Sequence, residues 1–203
     1  MVGILDDVKD AMTFHFRQPN REIYLLSGGP APQAAQAEGE LGSSEYAKEI
    51  LGALWGWPPA LDLKQEVALQ KCLRELIHGH SIESAHDLSD GGLAVALAES
   101  GFVQPHLGAE IDLNSNGLFA ESLLFGEHAT RVLVTCDLQK AESIKKTALQ
   151  WGLRADRIGR TVPEKLTIKI DGQVAIAASV SELKQVWSTA LTAALFADGA
   201  MSK

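Results

Sequence analysis

The chain has 203 residues, a formal net charge of -8 at pH 7, and hydrophobic residues at 46% of its positions. A chain of this length can bury a hydrophobic core, and we expect one domain over residues 1–203. The excess of acidic residues opposes non-specific nucleic-acid binding, which needs clustered Lys and Arg. No apolar run reaches the length of a membrane-spanning helix. We therefore expect neither a nucleic-acid nor a membrane partner.

The N-terminal segment is apolar over residues 1–5 and is followed at once by Asp6 and Asp7. It lacks the pattern of a secretory signal peptide, which favours a cytoplasmic protein. No capping residue precedes this segment, which is the pattern expected where the chain continues from a preceding domain. Cys72 and Cys136 lie far apart in apolar runs, which predicts two buried free thiols in a reducing compartment rather than a disulfide.

The sequence of the first half of the chain predicts one strand and two helices. Residues 22–26 read as a strand, and a loop rich in Ala, Gln, Glu and Gly follows. Ser43 is predicted to cap a helix over residues 44–55, which ends before Pro58. Asp62 is predicted to cap a second helix over residues 63–78.

The most informative stretch is residues 84–101, which reads as a strand, a polar turn and an apolar helix. Ser89 or Asp90 is predicted to cap that helix, and Gly101 to end it in a left-handed conformation. Gly91 and Gly92 would let backbone amides approach an anion such as phosphate. Asp87 and Asp90 are hard oxygen donors suited to Mg2+. A plain capped turn remains an equally weighted alternative on these residues alone.

The second half predicts strands alternating with helices. We expect strands over residues 108–113, 131–136, 158–162, 166–170 and 174–178, a short helix or turn over 118–127, and a helix over 138–151 capped by Asp137. Asp171-Gly172 is the clearest hairpin signal. Ser179 with Glu182 is typical of a capping box that opens a final amphipathic helix, and residues 197–203 are expected to form a frayed tail.

The string over residues 84–99, AHDLSDGGLAVALAE after Ser84, resembles a segment of phosphoribosylformylglycinamidine synthase (FGAM synthase) of the large-subunit type. LGSSEY at residues 41–46 and LFGEHATR at 124–131 support the resemblance. This family shares its fold with aminoimidazole ribonucleotide (AIR) synthetase. The resemblance implies the C-terminal α/β domain of that enzyme, an α+β fold with α/β/α layers and a mixed, largely antiparallel sheet.

The resemblance also implies the chemistry. FGAM synthase is an ATP-dependent carbon–nitrogen ligase of purine biosynthesis, which uses glutamine-derived ammonia to amidate formylglycinamide ribonucleotide (FGAR). Its ligands would be ATP and Mg2+, and its partners the missing N-terminal domains and a glutamine amidotransferase subunit or domain. Its catalytic histidine and ATP lysine lie in domains that this chain lacks. No catalytic residue is therefore expected here, and the fragment alone should be inactive.

By the same correspondence, Asp87 is the candidate metal ligand. Ser89, Asp90, Gly91 and Gly92 are the candidate phosphate-binding residues. Glu127 and His128 are candidate substrate-binding residues, although the family usually has Ser-Gln where this chain has His128-Ala129, which favours a structural role. Two alternatives remain open: a non-catalytic interaction module, or another ATP-dependent synthetase or kinase of the superfamily.

Overall fold

A computed structural model of the chain describes residues 7–8, 11–29, 41–53, 56–103 and 105–199, with side chains to residue 196. The strands are β1 (Glu22–Ser27), β2 (Ser84–Asp87), β3 (Leu107–Leu113), β4 (Arg131–Cys136), β5 (Arg154–Pro163), β6 (Lys165–Ile170) and β7 (Gln173–Ser179). The helices are α1 (Glu45–Glu49), α2 (Leu63–His78), α3 (Gly92–Ser100), α4 (Ala120–Phe125), α5 (Ala141–Gln150) and α6 (Val180–Gly199). A 3₁₀ turn over Leu138–Lys140 precedes α5.

The strands form one sheet in the order β2-β4-β1-β5-β3-β6-β7. The pairing of β3 with β6 is parallel, and every other pairing among the described strands is antiparallel. The predicted α+β class with a mixed, largely antiparallel sheet is therefore confirmed.

Helices cover the two faces of the sheet and form two hydrophobic clusters. One cluster joins α3 and α4 to the sheet through side chains such as Leu93, Leu97 and Leu124. The other joins α2 and α5 to the opposite face through Leu76 and Ile144. The two layers of helices around the sheet confirm the expected α/β/α layering and hold the β2–α3 turn at one end of the sheet.

Several local predictions are confirmed by their backbone and capping geometry. Asp62 accepts hydrogen bonds from the amides of Lys64 and Gln65 and caps α2. Asp171 and Gly172 both have positive φ, at 49° and 80°, as a type I′ hairpin requires. The capping box of α6 and the predicted strand bounds of β4 are also present.

Two predictions for the first helix are wrong. The helix α1 ends at Glu49, so residues 50–53 are not helical, because Gly52 adopts a left-handed φ of 65°. The cap is Ser44, whose hydroxyl accepts from the amide of Ala47. Ser43 instead has a φ of 58° and donates its hydroxyl to the carbonyl of Gly56.

Three further expectations need correction. Neither Ser89 nor Asp90 caps α3, because Gly91 is the N-cap residue, with a φ of 78°, and no side chain bonds to the first turn. Gly101 has a φ of -90° and is not left-handed. Asp137 caps the 3₁₀ turn rather than α5 itself.

Four expectations fall outside the described residues. These are the apolar segment over residues 1–5, most of the loop between β1 and α1, the end of the predicted first helix at residues 54–55, and the end of the tail at 200–203. The helix α6 continues to Gly199. None of the helices in the described part of the chain combines the length and apolar character needed to cross a membrane.

The two cysteines are fully buried and unpaired, as predicted. Burial raises the pKa of the Cys72 thiol to about 11 and that of Cys136 to about 12. Since the thiolate is the reactive form, we expect neither cysteine to react with a disulfide reagent at pH 8 in the folded chain. Both should react when the chain is unfolded in guanidinium chloride, and absorbance of the released thiolate measures this. Rapid labelling of the native chain would contradict the burial.

Candidate functional site

The candidate site is built on the turn between β2 and α3. Asp87 ends β2, the antiparallel partner of β4, and its side chain is 80% exposed. Ser89 and Asp90 are also exposed, whereas Leu88, between Asp87 and Ser89, is buried and anchors the turn to the core. The turn therefore presents two carboxylates and one hydroxyl to solvent.

The two glycine amides of this turn already have partners within the protein. The amide of Gly92 donates to the carbonyl of Ser89, at 3.0 Å. The amide of Gly91 donates to the carboxylate of Glu127, at 2.8 Å. The anion at the start of α3 is therefore the carboxylate of Glu127, which belongs to the same domain.

Glu127 joins three segments at one carboxylate oxygen. The Oε1 atom that accepts from Gly91 also accepts from the amide of Glu45, the first residue of α1, at 2.9 Å. The ring of Tyr46 stacks on that of Phe125, with centroids 5.0 Å apart. The three stretches that carry the sequence resemblance, 41–46, 84–99 and 124–131, therefore meet at Glu127.

Gly92 allows α3 to approach the end of α4 closely. A Cβ at Gly92 would lie 2.8 Å from the carbonyl oxygen of Gly126 and 3.0 Å from that of Leu124. Gly92 also has a φ of 65°. Both observations require glycine at this position, so the second glycine of the motif has a packing role whether or not a ligand binds.

His86 secures the other side of the motif. Its side chain is 11% exposed, and its Nε2 atom lies 3.2 Å from the carboxylate of Glu99 near the end of α3. Its Nδ1 atom lies 3.8 Å from the carboxylate of Asp87. His86 thus holds the end of β2 against α3 and fixes the backbone from which Asp87 projects.

His128 lies next to this junction. Its ring is near Gly126, because a Cβ at that glycine would be 3.0 Å from the imidazole. Burial, and secondly the charge of Arg131, lower the pKa of His128. The imidazole is therefore neutral at pH 7, and its ring can serve as both donor and acceptor of hydrogen bonds.

The predicted site residues separate into two groups. Glu127, Gly91 and Gly92 lie together through direct contacts at the junction of α1, α3 and α4. Asp87, Ser89 and Asp90 lie on the exposed side of the same turn. Within the described ranges, no group of three or more His, Cys, Asp or Glu side chains is arranged to hold a metal ion.

Sequence reasoning missed the contribution of Glu45. Its amide shares the Glu127 carboxylate with Gly91, although 82 positions separate Glu45 from Glu127. The only sequence signal for this role of Glu45 was that LGSSEY at residues 41–46 matches the family pattern. That match marks the segment as characteristic of the family but does not show which residue it contacts.

Comparison with known proteins identifies the family. Residues 18–171 match the family described as "AIR synthase related protein, C-terminal domain". The chain belongs to this family. Among curated relatives, it is 34% identical over 191 residues to phosphoribosylformylglycinamidine synthase subunit PurL of Alkaliphilus metalliredigens, covering 94% of this chain and 24% of that protein. It is 36% identical over 187 residues to the same subunit of Moorella thermoacetica, covering 92% and 24%.

Solved structures show the same fold. The chain superposes on Thermotoga maritima PurL complexed with FGAR with a TM-score of 0.71 at 21% identity, covering 87% of this chain and 30% of that one. The hydrogenase maturation protein HypE in complex with ATP gives a TM-score of 0.55 at 15% identity, covering 85% and 54%. The chain spans about a quarter of the length of the curated PurL relatives that it matches.

Proposed function

We propose that this chain is the C-terminal domain of a phosphoribosylformylglycinamidine synthase and acts in purine biosynthesis as part of a cytoplasmic, ATP-dependent carbon–nitrogen ligase. One observation carries the proposal: the three sequence stretches that resemble the family meet at the Glu127 carboxylate, beside the exposed acids of the β2–α3 turn. Sequence similarity alone would not require the distant stretches to converge.

We assign the binding of Mg2+ and the phosphates of ATP to the exposed side of this turn. Asp87 is the metal ligand, because its carboxylate is a hard oxygen donor that is 80% exposed and projects from backbone that His86 holds against α3. Ser89 and Asp90 flank it. Mg2+ bound there would neutralise phosphate charge.

The carboxylate of Glu127 limits where the phosphates can lie. Because it already accepts from the amides of Gly91 and Glu45, a phosphate reaches those amides only by displacing Glu127. The phosphates therefore lie over Asp87, Ser89 and Asp90, and Gly91 and Gly92 shape the turn. Glu127 and His128 line the adjoining junction on the substrate side.

The site is incomplete within this chain. One exposed carboxylate with a flanking acid does not supply the six oxygen ligands that Mg2+ prefers, so phosphate, water and other protein groups must supply the rest. The proposed partners are the N-terminal domains found in full-length FGAM synthases and a glutamine amidotransferase that delivers ammonia. The isolated chain should therefore bind nucleotide weakly and form no product from FGAR, ATP and ammonia.

Titration calorimetry with ATP, with and without Mg2+, tests the assignment. We expect weak binding that requires Mg2+ and is reduced at least tenfold by Asp87→Asn. The matched control is Asp156→Asn, which removes a half-exposed carboxylate on β5 that pairs with Arg154, away from the turn. Equal losses in both variants, or no binding by the wild-type chain, would contradict the metal assignment and favour an interaction module. Product formation by the isolated chain would contradict the proposal that it is only one domain of the ligase.

A further inference from the structure

The loop between α4 and β4, residues 126–130, contains a strained residue beside the candidate site. Thr130 has a φ of 60°, in the left-handed region that is unfavourable for residues with a Cβ and most unfavourable for β-branched side chains. In the described part of the chain, no other β-branched residue has a positive φ. A strained backbone persists only where surrounding contacts hold it, and such residues cluster at functional sites.

Contacts from two other elements hold Thr130 in this conformation. Its hydroxyl donates to the Oε2 atom of Glu66, in the first turn of α2, at 2.9 Å. Its carbonyl accepts from the amide of Gly28, directly after β1, at 3.2 Å. Its methyl group lies close to Gly28, where a Cβ would be 2.9 Å away. The bond to Glu66 is the strongest of these contacts, because its acceptor is a charged carboxylate.

The conformation of Thr130 helps to determine where Glu127 lies. The strand β4 begins at the next residue and is fixed in the sheet by its pairing with β1 and β2. A rotation about φ at Thr130 therefore turns residues 127–129 relative to the sheet. The left-handed φ is thus one condition for the Glu127 carboxylate to reach the amides of Gly91 and Glu45, at 2.8 and 2.9 Å.

We propose that Glu66 is a positioning residue for the candidate site: through Thr130, it holds the 126–130 loop in the strained conformation that places the Glu127 carboxylate at the start of α3. This positioning role deepens the proposed function and rests on it for the ligand, since the turn beside Glu127 is the one assigned to Mg2+ and phosphate. While Glu127 occupies the two amides, phosphate is directed to Asp87. Glu66 therefore acts on the ligand only through the loop.

A purely structural role for Glu66 predicts a different result. In that case the bond to Thr130 only fastens α2 to the sheet, and its loss would lower the stability of the whole domain without moving Glu127. The two roles differ in their effect on the amides of Gly91 and Glu45, which are protected from hydrogen exchange by their bonds to Glu127. Local opening of the loop exposes these two amides, whereas global unfolding exposes all amides together.

Amide hydrogen exchange followed by NMR tests the positioning role on the full chain. In Glu66→Ala we expect the amides of Gly91 and Glu45 to exchange at least tenfold faster than in the wild type, and by a larger factor than those of the interior strand β1. Glu66→Gln should behave as the wild type, because its amide oxygen can still accept from the Thr130 hydroxyl. The matched control is Gln70→Ala, which removes the other bond of the Glu66 carboxylate, at 3.0 Å, and should leave both amides protected.

A double variant, Glu66→Ala/Thr130→Gly, gives a second test. Glycine adopts a positive φ without strain, so the loop no longer needs the bond from Glu66. We expect the amides of Gly91 and Glu45 to exchange at least threefold more slowly in the double variant than in Glu66→Ala. Equal exchange in Glu66→Ala and Glu66→Gln, or a double variant no slower than Glu66→Ala, would overturn the positioning role. The measurement contains no nucleotide, so a wild-type chain that fails to bind ATP would contradict the proposed function alone.

Discussion

Substitution of Gly92 by alanine should lower the free energy of unfolding by about 3 kcal/mol, which is a large part of the stability of an ordinary domain. Two costs combine. The left-handed φ of 65° costs a residue with a Cβ about 1 kcal/mol. In addition, the Cβ would lie 2.8 Å from the carbonyl of Gly126, and forcing α3 away from α4 costs about 1–3 kcal/mol.

Gly152→Ala is the matched control for the backbone cost. Gly152 has nearly the same φ, 69°, but a Cβ there would meet no atom within 4 Å. Its substitution should cost only about 1 kcal/mol. Urea denaturation followed by circular dichroism gives both values, provided that the m-value is unchanged. If the two variants lost equal stability, the close approach of α3 to α4 would have no energetic role.

Local sequence signals were sufficient for much of the fold. The strands β1 and β4 were predicted closely because their β-branched and apolar residues form short continuous runs with clear ends. The bounds of α2 were predicted because Asp62 and Gly79 mark both termini. In these elements the intrinsic secondary-structure propensity of the residues and their tertiary contacts favour the same conformation.

The errors occur where glycine conformation overrides side-chain preference. Ser89 and Asp90 are good capping residues, but the left-handed Gly91 and Gly92 turn the chain before either side chain can reach the first turn of α3. The same is true of α1, which Gly52 ends early. A sequence shows that a glycine is present but does not show the sign of its φ.

The candidate site was predictable in its residues but not in its contacts. Asp87, Gly91 and Glu127 could all be named from the family pattern. Their arrangement could not, because the bond between Glu127 and Gly91 spans 36 positions and that to Glu45 spans 82. Such contacts depend on how the helices pack, and no local signal in a single sequence reports them.

Replacement of Glu127 by alanine should lower the free energy of unfolding by about 2 kcal/mol, because it removes two hydrogen bonds to a charged acceptor. Glu127→Gln should lose less, since the amide oxygen can still accept from both backbone groups. The two amides freed in the alanine variant point at one position and together form an anion site. Sulfate should therefore restore part of the stability that Glu127→Ala loses.

Thermal unfolding in sodium sulfate and in sodium chloride at equal ionic strength measures this rescue. Sulfate stabilises folded proteins generally, so the gain must be compared with a control variant. Glu83→Ala is suitable, because it also removes a carboxylate with two hydrogen bonds, both from Arg21, but frees no backbone amide. We expect a larger sulfate-dependent rise in Tm for Glu127→Ala than for Glu83→Ala or the wild type. Equal rises would mean that the amides of Gly91 and Glu45 do not form an anion site, and that Glu127 acts only to join α1 to α3.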